Sequence, residues 1–175
     1  MSIQYDVEVI VQDQNPICWV ASCAMLKGWG TQSSVGVGEF TGGLDPSSSC
    51  IANLADRWED CTDQMAAWGF DVLGVGDLSP GSLSADGLLA ALSDRGPAVL
   101  LHRCQGFPYG SQYGDTSAME GAHAILLTGI DDSTGQVFFN NPWGDKDQAA
   151  DIGAVLQCIN GDAGLGKSLG FWPKP

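Results

Sequence analysis

Alternating apolar and polar residues at the start of the chain predict a strand, and a nearly continuous apolar stretch after them predicts a buried helix. Residues 3–12 alternate over most of their length, the pattern of a half-buried strand. Residues 17–27 are apolar on almost every side, which is typical of a central helix. Asn15 is a favourable N-cap for that helix, Pro16 is a favourable first residue, and Gly28 predicts its end.

The remaining pattern places helices mainly in the first half of the chain and strands mainly in the second. Apolar residues at helical spacing predict helices over 50–69, over 84–95 and near 149–158. Short apolar runs predict strands over 70–74, 97–102, 122–130 and 136–141. This order of elements is typical of an α+β fold. The loop over 103–121 is long, polar and rich in aromatic residues, and such loops in compact domains are usually functional or mobile.

A turn sequence between the last two predicted strands sets a register that brings two polar residues together. If residues 131–133 form a three-residue hairpin loop, Ile130 pairs with Thr134. Counting outward from that pair, His123 lies directly opposite Asn141, where side chains share a face about 5 Å apart. We therefore expect the Asn141 amide to fix the orientation and tautomer of the His123 ring.

Composition and charge limit the kinds of protein that the chain can be. Its 175 residues are the size of one domain, which we expect to span residues 1–175. With 21 acidic against 7 basic residues, the formal net charge is -14, which argues against nucleic acid and anionic membrane surfaces as partners. No apolar run approaches the roughly 18 residues that predict a membrane-spanning helix. The N-terminus lacks the pattern of a classical secretory signal.

Six cysteines raise three possibilities, namely a disulfide scaffold, a metal site or a nucleophile. The missing signal pattern weakens the disulfide framework, and the cysteine and histidine spacings match no zinc site. Most of the six are therefore expected to be small buried apolar residues. Cys18 differs because it falls in the first turn of the predicted helix, where unpaired N–H groups and the helix dipole stabilise a thiolate. A buried structural cysteine is nevertheless the simpler interpretation of Cys18 taken alone.

Further polar and aromatic residues complete a candidate site around Cys18. Of the two histidines, His102 is expected to be structural and His123 to be functional. Gln12 precedes Cys18 by six residues and lies where the predicted strand leads into the predicted helix. Its amide can donate to an oxyanion together with the backbone N–H of Cys18, although an exposed loop glutamine is the simpler interpretation of Gln12 taken alone. Trp143 lies two residues beyond the predicted partner of His123, where its ring can shield the hydrogen bond from water or simply be part of the core.

In this order, three segments resemble the motifs of papain-like cysteine proteases. Residues 12–21, QDQNPICWVA, resemble the nucleophile motif, with Gln six residues before Cys and Trp directly after it. Residues 121–130, GAHAILLTGI, resemble the strand that carries the histidine, and residues 140–144, NNPWG, resemble the motif of the third catalytic residue. The resemblance spans about residues 5–145 and is nearest to a short bacterial branch that includes effector proteases of plant pathogens. That branch often has Asp as its third member, whereas Asn is the papain residue.

The resemblance implies a fold, a mechanism and a set of site residues. It implies an N-terminal helical lobe, whose central helix carries the nucleophile, packed on a C-terminal antiparallel β lobe with the cleft between them. It implies hydrolysis of a peptide or other amide through a thioester acyl-enzyme, with no metal or organic cofactor. The implied roles are nucleophile for Cys18, general base and acid for His123, orientation of the imidazole for Asn141, oxyanion donor for Gln12, and shielding of the site for Trp19 and Trp143.

Two alternatives keep the fold and change the function. One is a peptidoglycan amidase or acyltransferase with the same triad, which Asn141 disfavours because peptidoglycan-cleaving relatives usually have a second His as third member. The other is a catalytically silent papain-like binding domain.

The resemblance also bears on partners and location. The expected partner is a peptide or protein substrate, basic or neutral if the acidic residues line the cleft. The likeness to exported effectors implies a bacterial protein that is either retained in the cytoplasm or delivered into another cell by a specialised secretion system. An effector or toxin of this kind would be accompanied by an inhibitory or immunity protein in the producing cell.

Overall fold

The structure is a computed structural model that describes residues 1–12, 17–40, 58–161 and 168–174. Its helices are α1 (Cys18–Thr31), α2 (Val37–Phe40), α3 (Trp58–Ala67), α4 (Val75–Leu78), α5 (Ala85–Arg95) and α6 (Ile152–Gly161). Its strands are β1 (Ser2–Gln4), β2 (Asp71–Gly74), β3 (Ala98–Arg103), β4 (Ala122–Asp131), β5 (Gln136–Asn141), β6 (Asp145–Asp151) and β7 (Ser168–Phe171). None of the described helices is long and apolar enough to cross a membrane.

The described strands form one antiparallel sheet against which the N-terminal helices pack. The strand order is β2-β7-β3-β4-β5-β6, and β1 pairs with the C-terminal end of β4. Helix α1 packs on the central strands β3 and β4. The predicted α+β fold, with N-terminal helices on a mainly C-terminal antiparallel sheet, is therefore confirmed. The sheet also carries α5 and α6 in a second apolar core.

Strands β3 and β4 are buried on both faces, which explains why their sequences are apolar without interruption. On β3, Val99 and Leu101 pack in the core that contains α1, whereas Leu100 packs in the core that contains α5 and α6. On β4, Leu126 and Leu127 divide between the two cores in the same way. Each such leucine contributes roughly 1.5–3 kcal/mol through burial. The two strands are thus a rigid platform for the polar residues at their ends.

The predicted N-terminal strand over residues 3–12 is much shorter in the structure, where β1 ends at Gln4. One further backbone bond, from the Tyr5 N–H to a β4 carbonyl, extends the pairing at 2.8 Å. Val7 is instead held by a side chain, because Asn140 Nδ2 donates to its carbonyl at 2.9 Å. The alternating pattern thus reflects a segment that buries one side without joining a strand ladder along its length.

The C-terminal region also differs from the prediction. Residues 145–151 form β6, and the helix predicted near 149–158 begins only at Ile152. The sequence pattern predicts no strand at β7, yet β7 inserts between β2 and β3. Its four residues are too few to display a period. The helix predicted over 50–69 is seen as α3, and residues 50–57 lie outside the described residues.

The close approach of β1 to β4 yields a testable prediction at Gly129. A Cβ atom at this position would lie 2.2 Å from the carbonyl oxygen of Ile3, a backbone atom that cannot simply rotate away. We expect Gly129→Ala to lower the free energy of unfolding by about 1–3 kcal/mol, as measured by urea titration. Gly76→Ala in α4 is the matched control, since a Cβ there meets nothing within 4 Å. Equal stabilities of the two variants would contradict the β1–β4 packing described here.

Candidate active site

Cys18 is the first residue of α1, not the third as the sequence predicts. The N-cap is Ile17, whose carbonyl accepts the Ala21 N–H at 3.0 Å, while Asn15 and Pro16 lie outside the described residues. The helix continues through Gly28 and ends at Thr31. Because the first N–H groups of a helix have no acceptor within it, the start of α1 presents donors around the Cys18 sulfur.

The sulfur of Cys18 is buried, and burial governs its protonation. Its side chain lies in the apolar core that contains α1, and only 5% of the residue is exposed. Burial raises the pKa of the Cys18 thiol to about 11, against the opposing effect of backbone N–H groups of Ala124, Trp19 and Cys18 itself. The prediction of a stabilised thiolate is therefore wrong for this resting state, because desolvation outweighs the helix terminus.

His123 lies near the start of β4 and forms a hydrogen bond with Asn141 at the end of β5. His123 Nε2 and Asn141 Oδ1 are 2.8 Å apart. The same oxygen accepts the backbone N–H of Trp143 at 3.2 Å, and Asn141 Nδ2 donates to Asp145 at 3.3 Å. These two contacts fix which end of the amide faces the imidazole. Nε2 of His123 therefore carries the proton, and Nδ1 is left as the basic nitrogen.

The hydrogen bond forms through a different strand register from the one that the turn sequence predicts. Asp131 pairs with Gln136, so the hairpin loop has one residue more than expected. A bulge in β4 after Leu127 then shifts the pairing again. Together, the two differences shift the pairing of β4 with β5 by an even number of residues from the predicted register. His123 and Asn141 therefore remain on one face of the sheet, although they are not directly opposite.

Aromatic rings enclose the imidazole of His123. Trp143 stacks on it with ring centroids 4.1 Å apart and planes at 21°. Tyr109, from the loop between β3 and β4, lies edge-on at 5.6 Å and also contacts Trp143 at 4.8 Å. Trp19 instead stacks on Trp68, with centroids 4.9 Å apart. Of the two tryptophans expected to shield the site, Trp143 is the one in contact with the histidine ring.

The two histidines are cross-strand neighbours, and both are buried. His102 on β3 pairs directly with His123 on β4. Its Nδ1 lies 2.8 Å from the Arg103 carbonyl oxygen, and its ring stacks on Phe107. Burial lowers the pKa of His123 to about 4. Burial, together with the neighbouring His123, lowers the pKa of His102 to about 3. Both rings are therefore neutral at pH 7.

The backbone of Gln12 is hydrogen-bonded to the residue that follows Asn141. Its backbone N–H donates to the Pro142 carbonyl at 2.9 Å, so the chain that leads into α1 is tied to the turn after Asn141. The side chain of Gln12 is half-buried. This contact joins the segment before Cys18 to the strand that orients His123.

The structure brings Cys18 close to the histidine strand without forming a Cys–His pair. The backbone N–H of Ala124, the residue after His123, lies at the Cys18 sulfur. No hydrogen bond between Cys18 Sγ and the His123 ring occurs among the described residues. Such contacts often tighten only when substrate is bound. The resting site thus holds a neutral thiol beside a neutral imidazole.

Sequence reasoning missed Asp145 and gave no role to individual tyrosines of the 103–121 loop. Asp145 accepts from Asn141 and from the hydroxyl group of Tyr113. Its only signal in the sequence is a carboxylate four residues after Asn141. In the part of the chain that the structure describes, no group of three potential metal ligands is found, and the five described cysteines are free thiols.

The buried histidines predict a loss of stability in acid. A histidine whose pKa is lower in the folded state stabilises the fold above its unfolded value of about 6.5. For His123 this stability is lost as the pH falls from about 6.5 to about 4, and for His102 it is lost down to about 3. Each contributes about 1.4 kcal/mol per pH unit within its window. In urea unfolding between pH 7 and 4.5, the two histidines of the wild type should make the free energy of unfolding fall as the pH falls. His102→Leu should show about half of this fall. Identical slopes would show that His102 does not titrate on unfolding.

Comparisons with known proteins bear on the family and the fold of the chain. The family model described as papain-like cysteine protease AvrRpt2, Peptidase C70, matches residues 1–154. No curated protein matched the sequence significantly. Among solved structures, a protein described as a C39-like peptidase from Bacillus anthracis superposes with a TM-score of 0.62 at 14% identity, over 99% of this chain and 98% of that chain. That likeness bears on the fold alone, whereas the family model covers most of the chain. The chain therefore belongs to the family of papain-like cysteine proteases that this model describes, and it is a cysteine protease.

Proposed function

We propose that this protease cuts peptide bonds with Cys18 as nucleophile, His123 as general base and acid, and Asn141 as the residue that orients His123. The observation that carries the proposal is the 2.8 Å hydrogen bond between His123 Nε2 and Asn141 Oδ1 in a buried site. It leaves Nδ1 of His123 as the basic nitrogen. On the same strand, the backbone N–H of the next residue, Ala124, lies at the Cys18 sulfur. On this proposal, residues 1–175 act as one protease domain on a peptide or protein substrate.

The reaction starts from a neutral pair and proceeds through a thioester. As Cys18 Sγ attacks the carbonyl carbon, its proton passes to His123 Nδ1 and the carbonyl π electrons move to oxygen. Collapse of this intermediate breaks the C–N bond, and His123 returns the proton to the leaving amine. Water then gives a proton to His123 and attacks the thioester, and the released thiolate recovers that proton. Asn141 accepts from Nε2 throughout and holds the ring in line.

The developing oxyanion needs donors that are already in place. The backbone N–H of Cys18 is one, because it lies at the start of α1 and has no acceptor within the helix. The side-chain amide of Gln12 is the second, supported by the bond that ties its backbone to Pro142. Trp143 covers the imidazole, and keeping water from the His123–Asn141 bond strengthens it.

The role of the protein outside the enzyme is a finer proposal that rests on the resemblance to exported effectors. Because the protease has a net charge of -14, it should attract a basic segment of its target, or accept a neutral one, and repel an acidic one. As an effector or toxin, it would need a partner that blocks its cleft in the producing cell. Purification from the native host without any bound inhibitor would count against such an immunity protein.

Removal of the nucleophile is the primary test. Cys18→Ala should lower hydrolysis of casein or of a fluorogenic peptide library by at least about 10,000-fold, because the group that forms the thioester is lost. Cys23→Ala is the matched control, since it removes another buried free thiol from the same helix. The control should remain active. Full activity of Cys18→Ala would refute the proposed mechanism.

Gln12 provides a second test that separates oxyanion binding from nucleophile reactivity. Gln12→Ala should lower kcat for peptide hydrolysis by about 100- to 1,000-fold, the usual effect of losing one oxyanion donor. Alkylation of Cys18 by iodoacetamide should be nearly unchanged, because displacement of iodide creates no oxyanion on a carbonyl. Gln4→Ala, which alters an exposed glutamine on β1, is the control. If both reactions slowed equally in Gln12→Ala, Gln12 would be supporting the site in another way.

A further inference from the structure

A chain of polar contacts continues from Asn141 into the loop between β3 and β4. Asn141 Nδ2 donates to Asp145 Oδ2 at 3.3 Å, and the Tyr113 hydroxyl group donates to the same oxygen. Asn141 and Asp145 are also paired residues of β5 and β6. The turn between them is closed by the Gly144 N–H, which donates to the Asn141 carbonyl at 2.9 Å. The carboxylate is therefore held against the far side of the amide that faces His123.

The carboxylate decides which way the Asn141 amide points. A carboxylate accepts hydrogen bonds and has no proton to donate, so it selects the NH2 end of the amide. The oxygen end is then the only one left for His123, where it also accepts the Trp143 N–H. An amide turned the other way would set NH2 against a protonated Nε2 and against that backbone N–H. It would also direct its oxygen at the carboxylate.

We propose that Asp145 is a positioning residue of the protease, which acts through Asn141 and dictates that the third member of the triad is Asn and not Asp. The proposal rests on the proposed function, because it takes Asn141 as the residue that orients His123. An aspartate at position 141 would set two carboxylate groups at the 3.3 Å contact that the amide now makes as a donor. Two carboxylates at that distance in a partly buried site repel each other, so one carboxylate would take up a proton or turn away.

Tyr113 extends this device to the loop. Its hydroxyl group donates to Asp145, and its ring lies 5.1 Å from Trp143 and 5.9 Å from Tyr109. Burial, together with the neighbouring Asp145, raises the pKa of Tyr113 to about 12, so the phenol remains a donor at neutral pH. The loop thus contributes to the orientation of His123 through one hydroxyl group as well as through its aromatic rings.

Exchange of the two side chains tests the proposal through activity. Asn141→Asp alone should lower kcat for peptide hydrolysis by about 100-fold with little change in KM, because the repelled carboxylate no longer holds the imidazole. Adding Asp145→Asn should recover at least about tenfold of this loss. In the exchanged protein, the amide introduced at position 145 donates to the carboxylate introduced at position 141, and the Tyr113 hydroxyl accepts the second amide hydrogen. Asp147→Asn in the Asn141→Asp background is the matched control, since it removes one charge from the same strand and should recover nothing.

The tautomer of His123 provides a readout that does not depend on activity. With only two histidines in the chain, the ring ¹⁵N signals of His123 can be assigned by comparison with His102→Leu. At pH 7 the wild type should show the Nε2–H tautomer of His123, and Asp145→Ala should show a mixture of both tautomers. Asp147→Asn should match the wild type.

Two outcomes would overturn the inference about Asp145. One is an unchanged tautomer in Asp145→Ala, and the other is an Asn141→Asp protein whose activity does not respond to Asp145→Asn. Neither outcome bears on the nucleophile. Failure of the proposed function would appear separately, as activity that survives Cys18→Ala.

Discussion

The hydrogen bond between His123 and Asn141 is the contact on which the site depends, and it exists because two buried strands end side by side. Strand β4 is covered by α1 on one face and by the second core on the other, which leaves it little freedom to move. The same strand presents an N–H group to the Cys18 sulfur. One element therefore sets the position of the His123 ring and approaches the Cys18 sulfur, so the geometry of both follows from the packing of the sheet.

The buried surroundings of this contact shift the pKa values of Cys18 and His123 in opposite directions. Burial raises the pKa of the Cys18 thiol and lowers the pKa of the His123 imidazole, so the resting pair is uncharged. A site of this kind stores no ion pair before substrate arrives. In the proposed mechanism the thiol proton moves to His123 as the sulfur attacks, which makes the orientation of Nδ1 decisive. Exclusion of water by Trp143 and Tyr109 strengthens the contact that provides this orientation.

The parts of the molecule that depend on local sequence could be predicted, and those that depend on strand pairing could not. The helix that carries Cys18 and the strands that carry His123 and Asn141 follow from apolar patterns. The exact first residue of α1 did not, because the cap is Ile17 and no side-chain cap marks it. The His123–Asn141 contact was predicted from a register that is wrong in the turn. The contact nevertheless forms, because a bulge in β4 returns the two residues to the same face of the sheet. Strand β7 gives too short a pattern, although it lies inside the sheet between β2 and β3.

The position of Asp145 follows from the tight turn after Asn141. The sequence Asn-Pro-Trp-Gly-Asp reverses the chain between β5 and β6, so the fourth residue after Asn141 returns to lie beside it. Trp143 is carried on the same turn and stacks on His123. The turn therefore supplies the ring that covers the imidazole and the carboxylate that holds the amide. Since the Tyr113 hydroxyl group donates to the same carboxylate, the long loop between β3 and β4 is tied to the turn that holds Asn141 and Trp143 against His123.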